Sequence, residues 1–237
     1  MKKVNTSYYQ STDGQNVKRI LVDSYLIFIN EIIEQGDFNT VIQMGYGDGE
    51  VIERLMNKVK HVIVIEGDYE LYRRAIAEHK KNDHVLIINS FFEHFFLKNK
   101  VDLVLGNHVL EHVDDPGTVL HMTRQWLKNT GKALFTVPNA TSLHRRIGKE
   151  MGLLKSIYDL NPQDRKVGHQ RVYDWQSFND ELQNSGYKII KAGGFNIKLT
   201  SQKQMKDWSH ELLRAIFLIS LECQPQICSN LYAICRN

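Results

Sequence analysis

The sequence predicts an α/β protein built on a doubly wound, mostly parallel sheet. Three observations predict it. Short apolar runs alternate with stretches of helical period along most of the chain, the pattern of strands joined by crossover helices. One run, His61-Val62-Ile63-Val64-Ile65-Glu66, is apolar almost without interruption, as parallel strands covered on both faces tend to be. The first run, Val41-Ile42-Gln43-Met44, ends in glycines at alternate positions, Gly45, Gly47 and Gly49, before a helical pattern begins. Strand, glycine turn, helix is how such a sheet presents backbone to a ligand at the carboxyl ends of its strands.

Taken in order, Lys2 to Gly14 are polar and read as an irregular arm. From Val17 to Ile33, apolar residues (Ile20, Leu21, Tyr25, Phe28, Ile32) recur at helical spacing, and Gly36 is placed to stop that helix. Thr40 to Met44 is the first strand and Asp48 to about Lys58 its helix. His61 to Glu66 follows as a strand, Tyr69 to His79 as a helix, then Val85 to Ile88 and Val101 to Leu105 as strands. Asp115-Pro116 opens a helix running to about Leu127, with proline at a first-turn position. Gly131 to Val137 is the fifth strand, ended by Pro138.

After Pro138 the rhythm breaks. Residues 139–171 are read as an insertion over the strand ends that covers an acceptor site, with a short helix around Ser142 to Met151. Trp175 to Ser185 resumes as a helix. Tyr187 to Ile197 is a sixth strand, interrupted at Gly193-Gly194, and Met205 to Ser220 a helix. Asn230 to Arg236 follows a long crossover and is expected to run antiparallel at the sheet edge. The expectation is one domain over residues 1–237, with an N-terminal arm and helix over 1–36.

A chain of 237 residues suits one large domain with an insertion. The hydrophobic fraction of 42% and charged fraction of 24% are those of an ordinary globular protein. A net charge of +3 is too small to imply a nucleic-acid partner, and the basic triplet His144-Arg145-Arg146 reads first as solvated surface. There is no apolar run of about 18 residues, so no membrane partner is expected. The N-terminus lacks the apolar core of a signal peptide, and Cys223, Cys228 and Cys235 are odd in number, which favours reduced thiols in a cytoplasmic setting. These cysteines lack CxxC spacing, and no metal site is expected. The oligomeric state has no signal in the sequence.

Four strand-end positions align on one edge: the glycine loop, Glu66, Asn89-Ser90-Phe91 and Gly106-Asn107-His108. The glycine spacing is not the G-x-G-x-x-G of a dinucleotide site, because the third glycine comes one residue early. Asp48 and Glu50 would repel a pyrophosphate, so the loop suits a cationic or zwitterionic group. Glu66 is placed to accept the hydroxyls of a ribose. Phe91 and Phe92 are placed either to flank an adenine or to fill core.

This ensemble resembles the class I S-adenosylmethionine-dependent methyltransferases over about residues 38–197 and the final strand. The matching residues are Gly45-Tyr46-Gly47-Asp48-Gly49, Glu66, Asn107-His108-Val109-Leu110-Glu111-His112-Val113-Asp114-Asp115-Pro116, Val137-Pro138-Asn139 and Gly168-His169-Gln170-Arg171-Val172-Tyr173. The resemblance implies a seven-stranded sheet with its last strand antiparallel and S-adenosylmethionine as cofactor. It implies Gly45 and Gly47 at the methionine end, Glu66 and Gly67 at the ribose, Ser90 and Phe91 at the adenine, and Asn107 and His108 under the sulfonium. Two positions depart: many members have an acid where Gln43 stands and an Asp near Asn89-Ser90.

If the acceptor is a hydroxyl, a base helps, and histidine is the usual one near neutral pH. His169, at the end of the insertion, ranks first as catalytic base and His108 second. His112, His144, Arg145 and Tyr173 are candidate acceptor contacts, although His112 reads equally as a loop-orienting residue. The expected function is methyl transfer to an oxygen or nitrogen of a small-molecule acceptor, a sugar-containing or other biosynthetic metabolite. An RNA or protein methyltransferase would want a larger basic surface. A catalytically silent cofactor-binding partner of a second subunit is the alternative from another class, and the glycine spacing opposes an NAD-dependent oxidoreductase.

Overall fold

The computed structural model describes residues 15–237; the arm predicted for Lys2 to Gly14 lies outside the described residues. The elements in chain order are α1 (Gln15–Ile33), β1 (Thr40–Met44), α2 (Glu50–Leu55), β2 (His61–Glu66), α3 (Tyr69–His79), β3 (Val85–Asn89), β4 (Val101–Asn107), α4 (Pro116–Trp126), β5 (Leu127–Pro138), α5 (Leu143–Glu150), α6 (Pro162–Lys166), α7 (Trp175–Asn184), β6 (Lys188–Phe195), α8 (His210–Ser220) and β7 (Asn230–Arg236). The seven strands form one sheet in the order β3-β2-β1-β4-β5-β7-β6. β7 pairs antiparallel with both β5 and β6, and the remaining neighbours run parallel. The antiparallel strand therefore lies inside the sheet and not at its edge. Its residues Asn230 to Cys235 are all buried, the profile of an interior strand.

Successive strand residues enter opposite layers, as the two-residue period requires. On one face Leu103 and Leu105 of β4 join Val62, Phe28, Ile52 and Phe217. On the other, Val104 joins Ile42, Trp126, Phe135 and Phe178. Helices α1, α2 and α8 thus cover the first face, and α4 and α7 the second. The strand order reverses where β1 lies beside β4 (Val41↔Leu103, Gln43↔Leu105), with β2 on the far side of β1. At such a switch point the outgoing loops diverge to opposite faces and leave a crevice.

Besides the interior β7 and the shorter α2 and α8 (Glu50–Leu55 and His210–Ser220, against 48–58 and 205–220), three elements differ from expectation, each for a local reason. β5 starts at Leu127 because α4 stops at Trp126, whose indole N–H donates to the Phe95 carbonyl at 3.0 Å, and Leu127 pairs at once with Val101. β6 runs through Gly193-Gly194 unbroken. Those glycines admit neighbours: a Cβ on Gly193 would lie 2.8 Å from the Tyr232 ring, and one on Gly194 would lie 2.7 Å from Pro225 Cα. Helix α6, inside the insertion, had no periodic signal in its five residues; a reciprocal capping box between Asn161 and Asp164 starts it. No helix among the described residues is long and apolar enough to cross a membrane.

Candidate active site

The carboxyl ends of β1 and β4 open into a cleft of about 450 Å³. Its walls come from the β1–α2 loop, the segment after β4, the insertion, α1 and the chain following β6. Gly45, with φ 76°, faces open space: a Cβ there would meet nothing within 4 Å. Gly49, with φ 88°, seats the Tyr46 ring, since a Cβ would fall 2.6 Å from the tyrosine hydroxyl. Left-handed backbone of this kind is where glycine costs least. Glu66 is buried and accepts the backbone N–H of Tyr46 at 2.8 Å and of Asp68 at 2.7 Å, which ties the glycine loop to the end of β2. Each of its oxygens keeps capacity for another donor. Gln43 donates through Nε2 to the Met44 and Gly45 carbonyls at 3.1 and 3.3 Å, while its Oε1 is buried with no partner.

Beyond β4 the unmet polar atoms multiply. His108 sits in left-handed backbone, φ 52°, pinned by its N–H to the Thr136 carbonyl at 2.9 Å. Strain in a non-glycine residue persists only where the surroundings enforce it, and it concentrates at functional sites. His108 Nε2, both amide atoms of Asn107, His112 Nδ1 and His144 Nδ1 are buried without hydrogen-bond partners. Glu111 is wholly buried, neither carboxylate oxygen has a hydrogen bond, and Oε1 lies 3.5 Å from His108 Nδ1. Burial pushes the Glu111 carboxyl up to about 7, against the pull of His169. Burial, then His169, brings the His112 imidazole down to about 4. Burial followed by Lys198 brings His144 down to about 3.

The insertion is clamped to this loop by its last residues. The Gln170 N–H donates to the Glu111 carbonyl at 2.8 Å, and its side-chain amide reaches the His112 carbonyl and Asp114 at 2.6 and 2.7 Å. Arg171 donates to the carbonyls of Leu110 at 2.8 Å, Asp114 at 3.0 Å and Val113. The clamp sets the His169 ring edge-on to His112, with centroids 4.8 Å apart. His169 Nδ1 is 3.2 Å from Asp164 Oδ1, an ion-pair distance outside hydrogen-bond geometry. Burial opposes ionisation of Asp164, yet His169 and Arg145 beside it hold its carboxyl down to about 2.

The residues singled out from sequence divide into two groups. Gly45, Gly47, Glu66, Asn107 and His108 line the cleft from the carboxyl ends of β1, β2 and β4. His112, His144, Arg145 and His169 line it on the insertion side. Gly67, Ser90, Phe91 and Tyr173 do not line it. The Phe91 ring instead packs on Gly67, 3.0 Å from where a Cβ would be, and Phe92 reaches the wall. Tyr173 is buried against Phe178. Arg145 is buried too, not solvated: its guanidinium donates to the Ile157 carbonyl and to Asp164, both at 2.9 Å, and to the Asp159 carbonyl. Its charge is spent holding the insertion together. Sequence reasoning gave no role to Glu111, Asp164 or Lys198. The Asn-x-x-Asp spacing of a capping box was the one available pointer to Asp164.

A doubly wound sheet of this strand order, with a glycine loop and an acid at successive strand ends around a switch-point cleft, defines a nucleoside-cofactor enzyme of the methyltransferase type. Residues 19–192 match the family described as a methyltransferase domain. The chain belongs to that family and is a class I S-adenosylmethionine-dependent methyltransferase. Solved structures share the fold. The N-methyltransferase NodS from Bradyrhizobium japonicum WM9, in complex with S-adenosyl-L-homocysteine, is 14% identical over 91% of this chain and 86% of that one, with a TM-score of 0.59. A SAM-dependent methyltransferase from Aquifex aeolicus is 15% identical over 98% and 99%, with a TM-score of 0.62. A putative methyltransferase from Haloferax volcanii, in complex with the Trm112 methyltransferase activator, is 13% identical over 100% and 99%, also at 0.62. At such identities the likeness is one of fold. No curated protein sequence matches the chain.

Proposed function

We propose that this methyltransferase acts on an oxygen or nitrogen atom of a small-molecule acceptor, a sugar-containing or other biosynthetic metabolite. The observation that carries the reading is the gathering of unmet polar atoms, from Gln43, Asn107, His108, His112 and His144, around one cleft. Buried polar groups in folded proteins are satisfied, and a cluster that is not calls for a ligand. The cleft volume falls in the range of small-molecule sites, roughly 300–1,000 Å³. Arg145, bound internally, adds nothing to a surface that would grip a nucleic-acid backbone.

The residues present fit S-adenosylmethionine. The open space at Gly45 leaves room for its methionine end, the unpaired Gln43 Oε1 offers an acceptor to an ammonium group, and Glu66 has capacity left for ribose hydroxyls. When bound, the cofactor supplies a methyl group already activated on sulfonium. The chain's own task is then to align an acceptor and exclude water. The insertion closes the acceptor side. His169, oriented by Asp164, takes the acceptor's proton, with His108 ranked second, and His112 and His144 contact the acceptor.

Titration calorimetry with S-adenosylmethionine and S-adenosylhomocysteine tests the cofactor half. Binding of both to the folded wild type is expected. Gly47→Val should block backbone approach. Glu66→Ala should weaken binding by about 1.5–3 kcal/mol, the usual worth of a hydrogen bond to a charged group. Heat with NAD and none with either sulfur compound would overturn the reading.

A further inference from the structure

We propose that Glu111, His112 and His169 bind a divalent transition-metal ion at the acceptor end of the cleft, with zinc the best-matched ion. Each residue offers one ligand atom, and these atoms all lie within 4.8 Å of one another. Glu111 stands at zero exposure with no hydrogen bond to either carboxylate oxygen and with His108 Nδ1 3.5 Å from Oε1, and His112 Nδ1 is likewise without a hydrogen bond. A carboxyl kept only for structure in so closed a place would be hydrogen-bonded. A cation between it and the two imidazoles satisfies all three groups at once and offsets the charge on Glu111.

The donor set selects the ion. Two imidazoles and one carboxylate suit zinc and its neighbours, whereas magnesium and calcium take oxygen ligands. Asp164 Oδ1 lies 3.2 Å from His169 Nδ1, and a turn of the ring that brings the two into hydrogen-bond geometry would give the carboxylate that commonly backs a metal-bound histidine and leave Nε2 for the ion. Three protein ligands leave a fourth position open. His112 and His169 line the cleft, so that position faces the acceptor. The role of the ion rests on the methyltransferase reading above: it would hold the acceptor oxygen and make its proton easier to lose. His169 then acts as a ligand and no longer takes the proton. The ion acidifies the acceptor hydroxyl, and its proton passes to His108, the second-ranked base, whose Nε2 has no hydrogen-bond partner at the cleft.

The test uses the whole chain, stripped with EDTA and retitrated with zinc chloride, with elemental analysis of the product and a parallel titration with S-adenosylhomocysteine. About one zinc per chain is expected, and cobalt(II) in its place should give visible absorption bands of a nitrogen- and oxygen-ligated site. Glu111→Gln and His112→Ala should weaken zinc binding at least a hundredfold while S-adenosylhomocysteine binds as before. Asp164→Asn should weaken it roughly 10–100-fold. Wild-type protein that binds S-adenosylhomocysteine but takes up no zinc, manganese, iron(II) or cobalt overturns the site and leaves the methyltransferase reading standing. Metal content unchanged in Glu111→Gln, or uptake of magnesium alone, overturns it equally. Zinc uptake with no S-adenosylhomocysteine binding supports the site and counts against the cofactor reading instead. The cobalt spectrum of the wild type judges the site even where His112→Ala fails to fold.

Discussion

At the scale of single residues, position along the strands was legible and burial was not. Gly45, Gly47, Glu66, Asn107 and His108 could be placed beside one cleft because each ends a strand or follows one, and strand ends can be counted from the apolar runs. The burial of Glu111 was not legible, because it arises only in the fold, where Gln170, distant in the chain, binds the Glu111 carbonyl. Its burial has a measurable sign. In metal-free protein the folded state holds a proton on Glu111 up to about pH 7, whereas an ordinary glutamate releases it near 4.5. Between those values the folded state binds more protons, so Glu111 adds stability as pH falls. His112 acts oppositely: its folded value of about 4 lies below the ordinary 6.5, so stability is lost as pH drops through that window. Glu111→Gln should therefore make acid destabilisation steeper from pH 7 to 4.5, by on the order of 3 kcal/mol across the window; urea melts at several pH values with EDTA present check this. The histidines have a kinetic test. Once an acceptor is known, His169→Ala should lower turnover roughly 10²–10⁴-fold with cofactor affinity nearly unchanged, and His108→Ala by less. Near-normal rates in both across pH would leave positioning as the whole mechanism.

At the scale of elements, long periodic segments could be read and the insertion could not. α1 and β2 were recovered nearly residue for residue, since each repeats its period over enough positions to stand out. Helix α6 is too short to show a period, and the path from Met151 to Asn161 is set by Arg145, which binds the backbone of Ile157 and Asp159. That arrangement predicts a cover with two parts. Its end at Gln170 and Arg171 is fastened to the β4–α4 loop, whereas Leu153 and Tyr158 are exposed. Hydrogen exchange should slow over residues 143–166 when cofactor and acceptor are both bound, with Gln170 and Arg171 protected throughout. Equal protection with and without ligands would make the segment rigid scaffold.

At the scale of the whole molecule, the α/β class followed from the alternation of strand and helix alone, while the place of β7 did not, because sequence order says nothing about which gap a late strand fills. The thiols report on that packed sheet. Cys235 lies within β7 and Cys228 just before it; both are wholly buried, and burial pushes their thiols up to about 12 and about 11. A disulfide reagent should modify Cys223 quickly in the native protein and the other two only on unfolding. Fast reaction of all three would show that the β5–β7–β6 part of the sheet opens on its own. The insertion of β7 between β5 and β6 also sets a schedule for synthesis. β6 leaves the ribosome before β7 yet has no seat in the sheet until β7 arrives, so both it and the open side of β5 wait as bare edges on the growing chain. Lys188 and Lys191 on β6 give that waiting strand a charge that discourages pairing with a neighbouring nascent chain.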